Sequence, residues 1–376
     1  MKERLDKMEI YRCFLLPCTS LCDYYKEVMR VIQYIGVLLF FFLVSCEKND
    51  VEPQKTRTLM VYLAGDNNLS GHMQKNISSM MSAWKESYNA NIVIYFDAPN
   101  AAPELYTFRF KGKEVEKQVL KTYEEMDSAD PEVLKKILNE MQDLYPSDSY
   151  GLILGSHASG WIPSGASGRS NRMLHAEPVL TRSFGKDYTG SNEMDTRDMA
   201  KAIPFNKENL EFILFDACLM SSIEVLYDLR DKAKYVIASP AELPAPGFPY
   251  ARVMPYFWGK GKDLEKDLVK VCDEFWDYYN TYNATNCFGT IALIKMDEME
   301  HLFDLTREVL QGQKENVATI KQNAVYCYPM VEYTKHDRFF DLGEYMKYMT
   351  EDREGLYKEY RDFLDNEVVI YKKATN

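Results

Sequence analysis

Two short apolar runs in this chain each end in a reactive side chain. In YGLILGSHASGW (150–161) the run closes at His157, and in EFILFDACLM (211–220) it closes at Cys218. An imidazole beside a thiol is the minimum for cysteine nucleophile chemistry: the base takes the thiol proton and the thiolate attacks a carbonyl. The ordinary alternative is a core cysteine and a hydrogen-bonded histidine, because free Cys is among the most buried residues. Both residues stand at run ends, in polar or glycine-bearing turns, and that favours the chemistry. Asp216 precedes Cys218 by two residues, so in a strand both side chains point to the same side. A carboxylate would then flank the nucleophile. The same Asp could instead cap a helix that follows.

The elements that must position these groups are legible in the periodicity. An apolar run of four to six residues between polar or glycine residues reads as a buried strand of a parallel sheet. Ligands and catalytic groups gather at the carboxyl ends of such strands. Strands are expected at 58–64, 91–97, 151–156, 212–216, 235–239 and 290–295, with a hairpin of 105–110 and 114–120 around Lys111-Gly112-Lys113. Helices are expected at 69–84 and from Asp130-Pro131 to about 144. A further helix from 219 to about 230 would put Cys218 at its positive end and lower the thiol pKa. Strands alternating with helices imply a parallel sheet covered on both faces. Residues 162–195 break the pattern as a long Ser-, Gly- and Arg-containing loop, and such loops are functional or disordered. From about 263 the chain reads as mostly helical. Its aromatic cluster FWDYYNTY reads as packing rather than a ligand box.

The pieces VYLAGDNNL (61–69), LILGSHASGW (152–161), LFDACLMSSIEVLYDL (214–229) and ASPAELPAPGFPY (238–250) occur in this order. Together they resemble the clostripain family of cysteine peptidases, relatives of the caspases, gingipains and legumains. The resemblance covers about 58–250 and continues more loosely to the C-terminus. It implies a caspase-like α/β/α sandwich with a mostly parallel sheet over 58–262, and a largely helical 263–376 part that completes the sheet or packs on it. It implies a Cys218–His157 dyad cutting after Arg or Lys, with Asp216 as the pocket carboxylate; Arg would pair with it bidentately and Lys as a point charge. The oxyanion would be held by the backbone N–H groups of Cys218 and Ala158. It also places Asp66 and Asn67 near the substrate, although Gly-Asp-Asn-Asn is good turn chemistry in its own right. Relatives are often zymogens cut between the histidine and the cysteine. Here that interval holds Arg169, Arg172, Arg182 and Lys186, and self-cleavage is expected after Arg169 or Arg172. The family usually has glycine directly after the histidine, and this chain has Ala158. A second reading therefore stays open: a weak or inactive peptidase-fold surface lipoprotein that binds peptides or glycans. No cofactor is expected. Calcium, needed by some relatives, is left open without support, since the acidic residues lack EF-hand spacing.

Of 376 residues 46% are hydrophobic, ample for one large core or two modest domains. The net charge of −12 argues against a nucleic-acid partner. Residues 35–44 form an apolar run too short to span a bilayer, preceded by Arg30 and running into LVSC at 43–46. That ending resembles the lipobox of bacterial lipoproteins. The expectation is translation from Met29, a signal segment ending at 45, a lipid on Cys46, a polar tether over 46–57, and a cell-envelope protein that meets the membrane only through its lipid. Cys218, Cys272, Cys287 and Cys327 show no metal-ligand spacing.

Overall fold

The computed structural model describes residue 29 and residues 57–162, 184–190, 192–259, 262–282, 289–311, 324–328, 339–350 and 353–375. Residues from Lys55 onward form one compact unit. Its frame is a nine-stranded sheet: β1 (Thr58–Ala64), β2 (Asn91–Ala98), β3 (Ala101–Lys111), β4 (Glu114–Thr122), β5 (Tyr150–Gly155), β6 (Leu210–Asp216), β7 (Tyr235–Ala238), β8 (Thr290–Lys295) and β9 (Val369–Ala374). The spatial order is β4-β3-β2-β1-β5-β6-β7-β8-β9. The centre, β2-β1-β5-β6-β7, is parallel, and antiparallel pairs close both edges.

Every residue of β1 and of β5 is buried, as a strand covered on both faces requires. Alternate residues of β1 feed two cores. Met60 and Tyr62 face one, with Leu134, Ile137 and Leu138 of α2 (Pro131–Leu144) and Val225 of α4 (Ile223–Asp228). Leu59, Val61 and Leu63 face the other, with Met73 and Met80 of α1 (Ser70–Ala83), Val253 of α5 (Tyr250–Val253) and Leu268 of α6 (Lys262–Tyr282). Each fully buried aliphatic side chain contributes roughly 1.5–3 kcal/mol over leaving it exposed. Asp130 caps α2 by accepting from the Glu132 N–H, with Pro at the first turn. Helix α3 (Thr196–Ala202) and, after β8, helices α7 (Met299–Gln311), α8 (Leu342–Met349) and α9 (Glu354–Phe363) cover the first face.

Three expectations change. The helix foreseen from 219 begins only at Ile223, after a turn, so no helix N-terminus meets Cys218. The hairpin strands are longer than their apolar patches, because β3 is pinned along β2 from the turn at Asn100 onward. And the part after 263 adds, beyond the expected β8, a further strand, β9, to the same sheet.

Candidate active site

Strand order reverses at β1: β2 lies on one side and β5, then β6, on the other. In an open α/β sheet that reversal opens a crevice at the carboxyl ends of the strands. The loops after β1, β5 and β6 emerge there. Gly155 of β5 is paired with Asp216 of β6, and His157 and Cys218 each lie two residues beyond that pair, so they leave the sheet level with each other. The two loops also touch. Gly160 has φ +62°, and a Cβ there would lie 2.7 Å from the Leu219 carbonyl oxygen. Only glycine lets the histidine loop lie this close to the cysteine turn.

Cys218 is partly buried, packed with Tyr328 against Ile162, Leu219 and Phe339. Its Sγ accepts the Leu243 N–H at 3.2 Å. Sγ also lies 3.9 Å from the Leu243 carbonyl, to which the thiol donates. Leu219 takes φ +63°, which costs a branched residue on the order of 1–2 kcal/mol. Backbone bonds hold the turn: Leu219 N–H to Ala241 at 3.0 Å and Ser221 N–H to Ser239 at 3.1 Å.

His157 is partly buried. Its Nε2 lies 2.6 Å from Oδ1 of Asn68, and its carbonyl accepts the Gly185 N–H at 3.0 Å. Desolvation, helped by the Lys186 charge, lowers the imidazole pKa to about 4. At neutral pH the ring is therefore uncharged, with one nitrogen lone pair free to take a proton. Ala158 is buried and bridges to Phe184. Among the described residues the non-glycine positions with left-handed backbone are Asn89, Asn100 and Leu219. Ala158 is not one of them, so its turn needs no glycine.

Asp216 is half-buried and held by protein donors. Oδ2 accepts from the Tyr250 hydroxyl at 2.9 Å and from Asn76 at 3.4 Å. Desolvation raises its pKa to about 6, against the Tyr250 hydroxyl and the Phe248 N–H, which lower it. Gly247, at φ +70°, passes so close that a Cβ would sit 2.5 Å from Oδ1. The Tyr279 hydroxyl of α6 donates to the Gly247 carbonyl at 2.6 Å, so the aromatic cluster of that helix supports this turn from below. No helix starts where Asp216 could cap it.

Asp66 and Asn67 do not present their side chains to the crevice. Both are buried. Asp66 accepts from the Thr189 N–H and hydroxyl, at 3.0 and 2.9 Å. The Asn67 amide donates to the Ala64 and Lys186 carbonyls, each at 2.9 Å, and its Oδ1 accepts the Leu69 N–H. They fasten the turn after β1 to a strap, 184–190, and leave their neighbour Asn68 exposed beside His157. Sequence reasoning passed over Asn68, although it stands in the same GDNN turn. It also passed over Asn76, Leu243, Gly247 and Tyr250, the last three within the ASPAELPAPGFPY stretch. Tyr328 and Phe339 carried no signal at all. Cys46, Arg169 and Arg172 lie outside the described residues. Among those described, no group of three His, Cys, Asp or Glu is placed to hold a metal ion, and no helix is long and apolar enough to cross a membrane.

The model of the clostripain family matches residues 61–376. The chain belongs to this family of cysteine peptidases. Clostripain from Hathewaya histolytica is 29% identical over 254 residues, which are 60% of this chain; the match spans 47%, about half, of that longer protein. A secreted C11 cysteine protease from Bacteroides thetaiotaomicron, solved with an irreversible peptide inhibitor, is similar in fold with TM-score 0.69 and 28% identity over 85% of both chains. An inactive zymogen C11 protease from Parabacteroides distasonis gives TM-score 0.70 and 30% identity over 86% of both. The family's α/β sandwich is thus the fold described above.

Proposed function

We propose that this clostripain-family protein is an endopeptidase that cuts after Lys or Arg with Cys218 as nucleophile and His157 as general base. Proton transfer from Sγ to the imidazole gives a thiolate that attacks the scissile carbonyl. The backbone N–H groups of Cys218 and Ala158 receive the oxyanion, and the imidazolium returns its proton to the leaving amine. Asp216 supplies the charge that selects the basic side chain. The observation carrying this reading is the pairing of β5 with β6, which sets an uncharged, desolvated imidazole level with a hydrogen-bonded thiol and puts a desolvated carboxylate two residues before it. The solved relatives, one trapped by a peptide inhibitor and one described as a zymogen, support the same reading.

The protein is further proposed to be made as a precursor cut after Arg169 or Arg172, and held to the cell envelope by a lipid on Cys46. The secreted relative is consistent with export. Hydrolysis of short substrates with Lys, Arg or a neutral residue before the cut tests the activity. Wild type should cleave the basic substrates, and Cys218→Ala and His157→Ala should each lose at least about 10³-fold in kcat/KM with the melting temperature kept. Full activity in either variant removes the dyad.

A further inference from the structure

We infer that Asn68 is a positioning residue for the general base: its side-chain oxygen fixes the proton of His157 on Nε2 and so presents Nδ1 as the atom that takes the Cys218 proton. The inference rests on the dyad proposed above, and it adds a third group that the dyad itself does not require.

The argument starts from the ring. A neutral imidazole has one N–H and one lone pair, and its partner decides which nitrogen holds the proton. Asn68 Oδ1 stands 2.6 Å from Nε2, and a carbonyl oxygen can only accept, so this placement of the amide assigns the proton to Nε2. Nδ1 is then the only basic nitrogen. The opposite tautomer would set two lone pairs against each other at this distance.

The geometry around Asn68 is that of a mounted group. Asn68 itself is exposed, yet its neighbours are locked. The Asn67 N–H bonds to the Gly65 carbonyl at 2.7 Å, and the Gly65 N–H to the Asp97 carbonyl at 3.1 Å. On the strap side, the Asn67 amide grips Lys186 and Asp66 grips Thr189. The same strap bonds the histidine loop through the Gly185 N–H to the His157 carbonyl. One short segment thus ties down both the turn that carries Asn68 and the backbone that carries His157. This gives the GDNN turn a division of labour: two side chains face inward to anchor it, and one faces outward to orient the base.

The charge on Asn68 also matters. The charged group acting on the ring is Lys186, which disfavours imidazolium. A neutral amide orients the ring without opposing that effect, whereas a carboxylate in its place would stabilise imidazolium and raise the ring pKa. Orientation and basicity are therefore separable by substitution at this one exposed site.

The test uses processed enzyme carrying Asn68→Ala or Asn68→Asp, with kcat and KM on a basic substrate followed across pH, and nitrogen NMR of histidine-labelled protein. Asn68→Ala should lower kcat about 10- to 100-fold with KM changed less than about threefold. Asn68→Asp should keep more of the rate and move the acid limb of the kcat profile upward by about one pH unit. The labelled wild type should show His157 as the Nε2–H tautomer. Unchanged kcat and pH profile in both variants would overturn the inference while leaving the dyad in place, as would a wild-type ring protonated on Nδ1. An active His157→Ala enzyme would remove the dyad and this inference with it. Should Asn68→Ala fold poorly, the direction of the Asn68→Asp shift and the wild-type tautomer still decide.

Discussion

Asp216 carries two opposed demands. Its burial raises the carboxyl pKa to about 6, from an ordinary value near 4. Above that pH it is charged and able to bind a basic side chain; below it the proton cancels the attraction. The kcat/KM for Lys and Arg substrates should therefore fall as pH drops through about 6, while a neutral substrate should show no such step. The sign for stability is the reverse. A carboxyl whose folded pKa exceeds its unfolded value stabilises the fold most fully below about pH 4, and that contribution is lost as pH rises through about 6. Asp216→Asn is thus expected to raise the melting temperature slightly at pH 7 while costing on the order of 2–4 kcal/mol in transition-state binding of basic substrates. Equal losses on all substrates, with a lowered melting temperature, would instead assign Asp216 to support of the turn through Tyr250. The place of His157, Cys218 and Asp216 at the carboxyl ends of β5 and β6 was legible because each stands at the end of an apolar run. Their partners were not. Asn76 and Tyr250 reach Asp216 from α1 and α5, and no sequence spacing encodes a hydrogen bond across 140 or 34 positions.

At the scale of elements, two glycines set how closely the site closes. Gly160 lays the loop after β5 on the Leu219 carbonyl, and Gly247 lets its turn meet the Asp216 carboxylate. Gly160→Ala adds a methyl 2.7 Å from a backbone oxygen at φ +62°. It is expected to cost about 1–3 kcal/mol in stability and at least about 10-fold in kcat, with KM less affected. Thermal melts and kinetics check this; a kcat equal to wild type would mean the two loops do not depend on that contact. The central strands were legible because a fully buried parallel strand is a continuous apolar run. Strand β9 was not, since its outer half is exposed Lys372, Lys373 and Ala374 and its partner β8 lies far away in sequence. The helix foreseen at 219 failed for a related reason. LMSSIEVLYDL has a helical pattern, but tertiary bonds from 239 and 241 hold its first residues in a turn.

At the scale of the molecule, the interval between histidine and cysteine has both flanks tied down: Ile162 packs with Leu219, and Phe184 bridges to Ala158 and Met194. A cut within it would divide the chain between β5 and β6, which remain paired along the sheet. Purified wild type is therefore expected to run as two associated fragments, the second starting at Ser170 or Met173, and Cys218→Ala as one chain. Fully active wild type that stays intact would exclude activation by self-cleavage. Cys46→Ser should leave the precursor unprocessed or release protein from the membrane fraction, and an unmodified wild-type N-terminus elsewhere would end the lipoprotein reading. Cys272 is a built-in control for thiol reactivity, because full burial drives its pKa far up and leaves it inert. The decisive measurement is therefore to treat processed protein with an irreversible peptide electrophile bearing Lys at the cut position and to map the adduct by mass spectrometry. A single adduct on Cys218, absent with a neutral residue at that position and suppressed in His157→Ala, is the predicted result; folded, processed protein whose Cys218 stays unmodified, or whose label falls on another cysteine, would contradict the account.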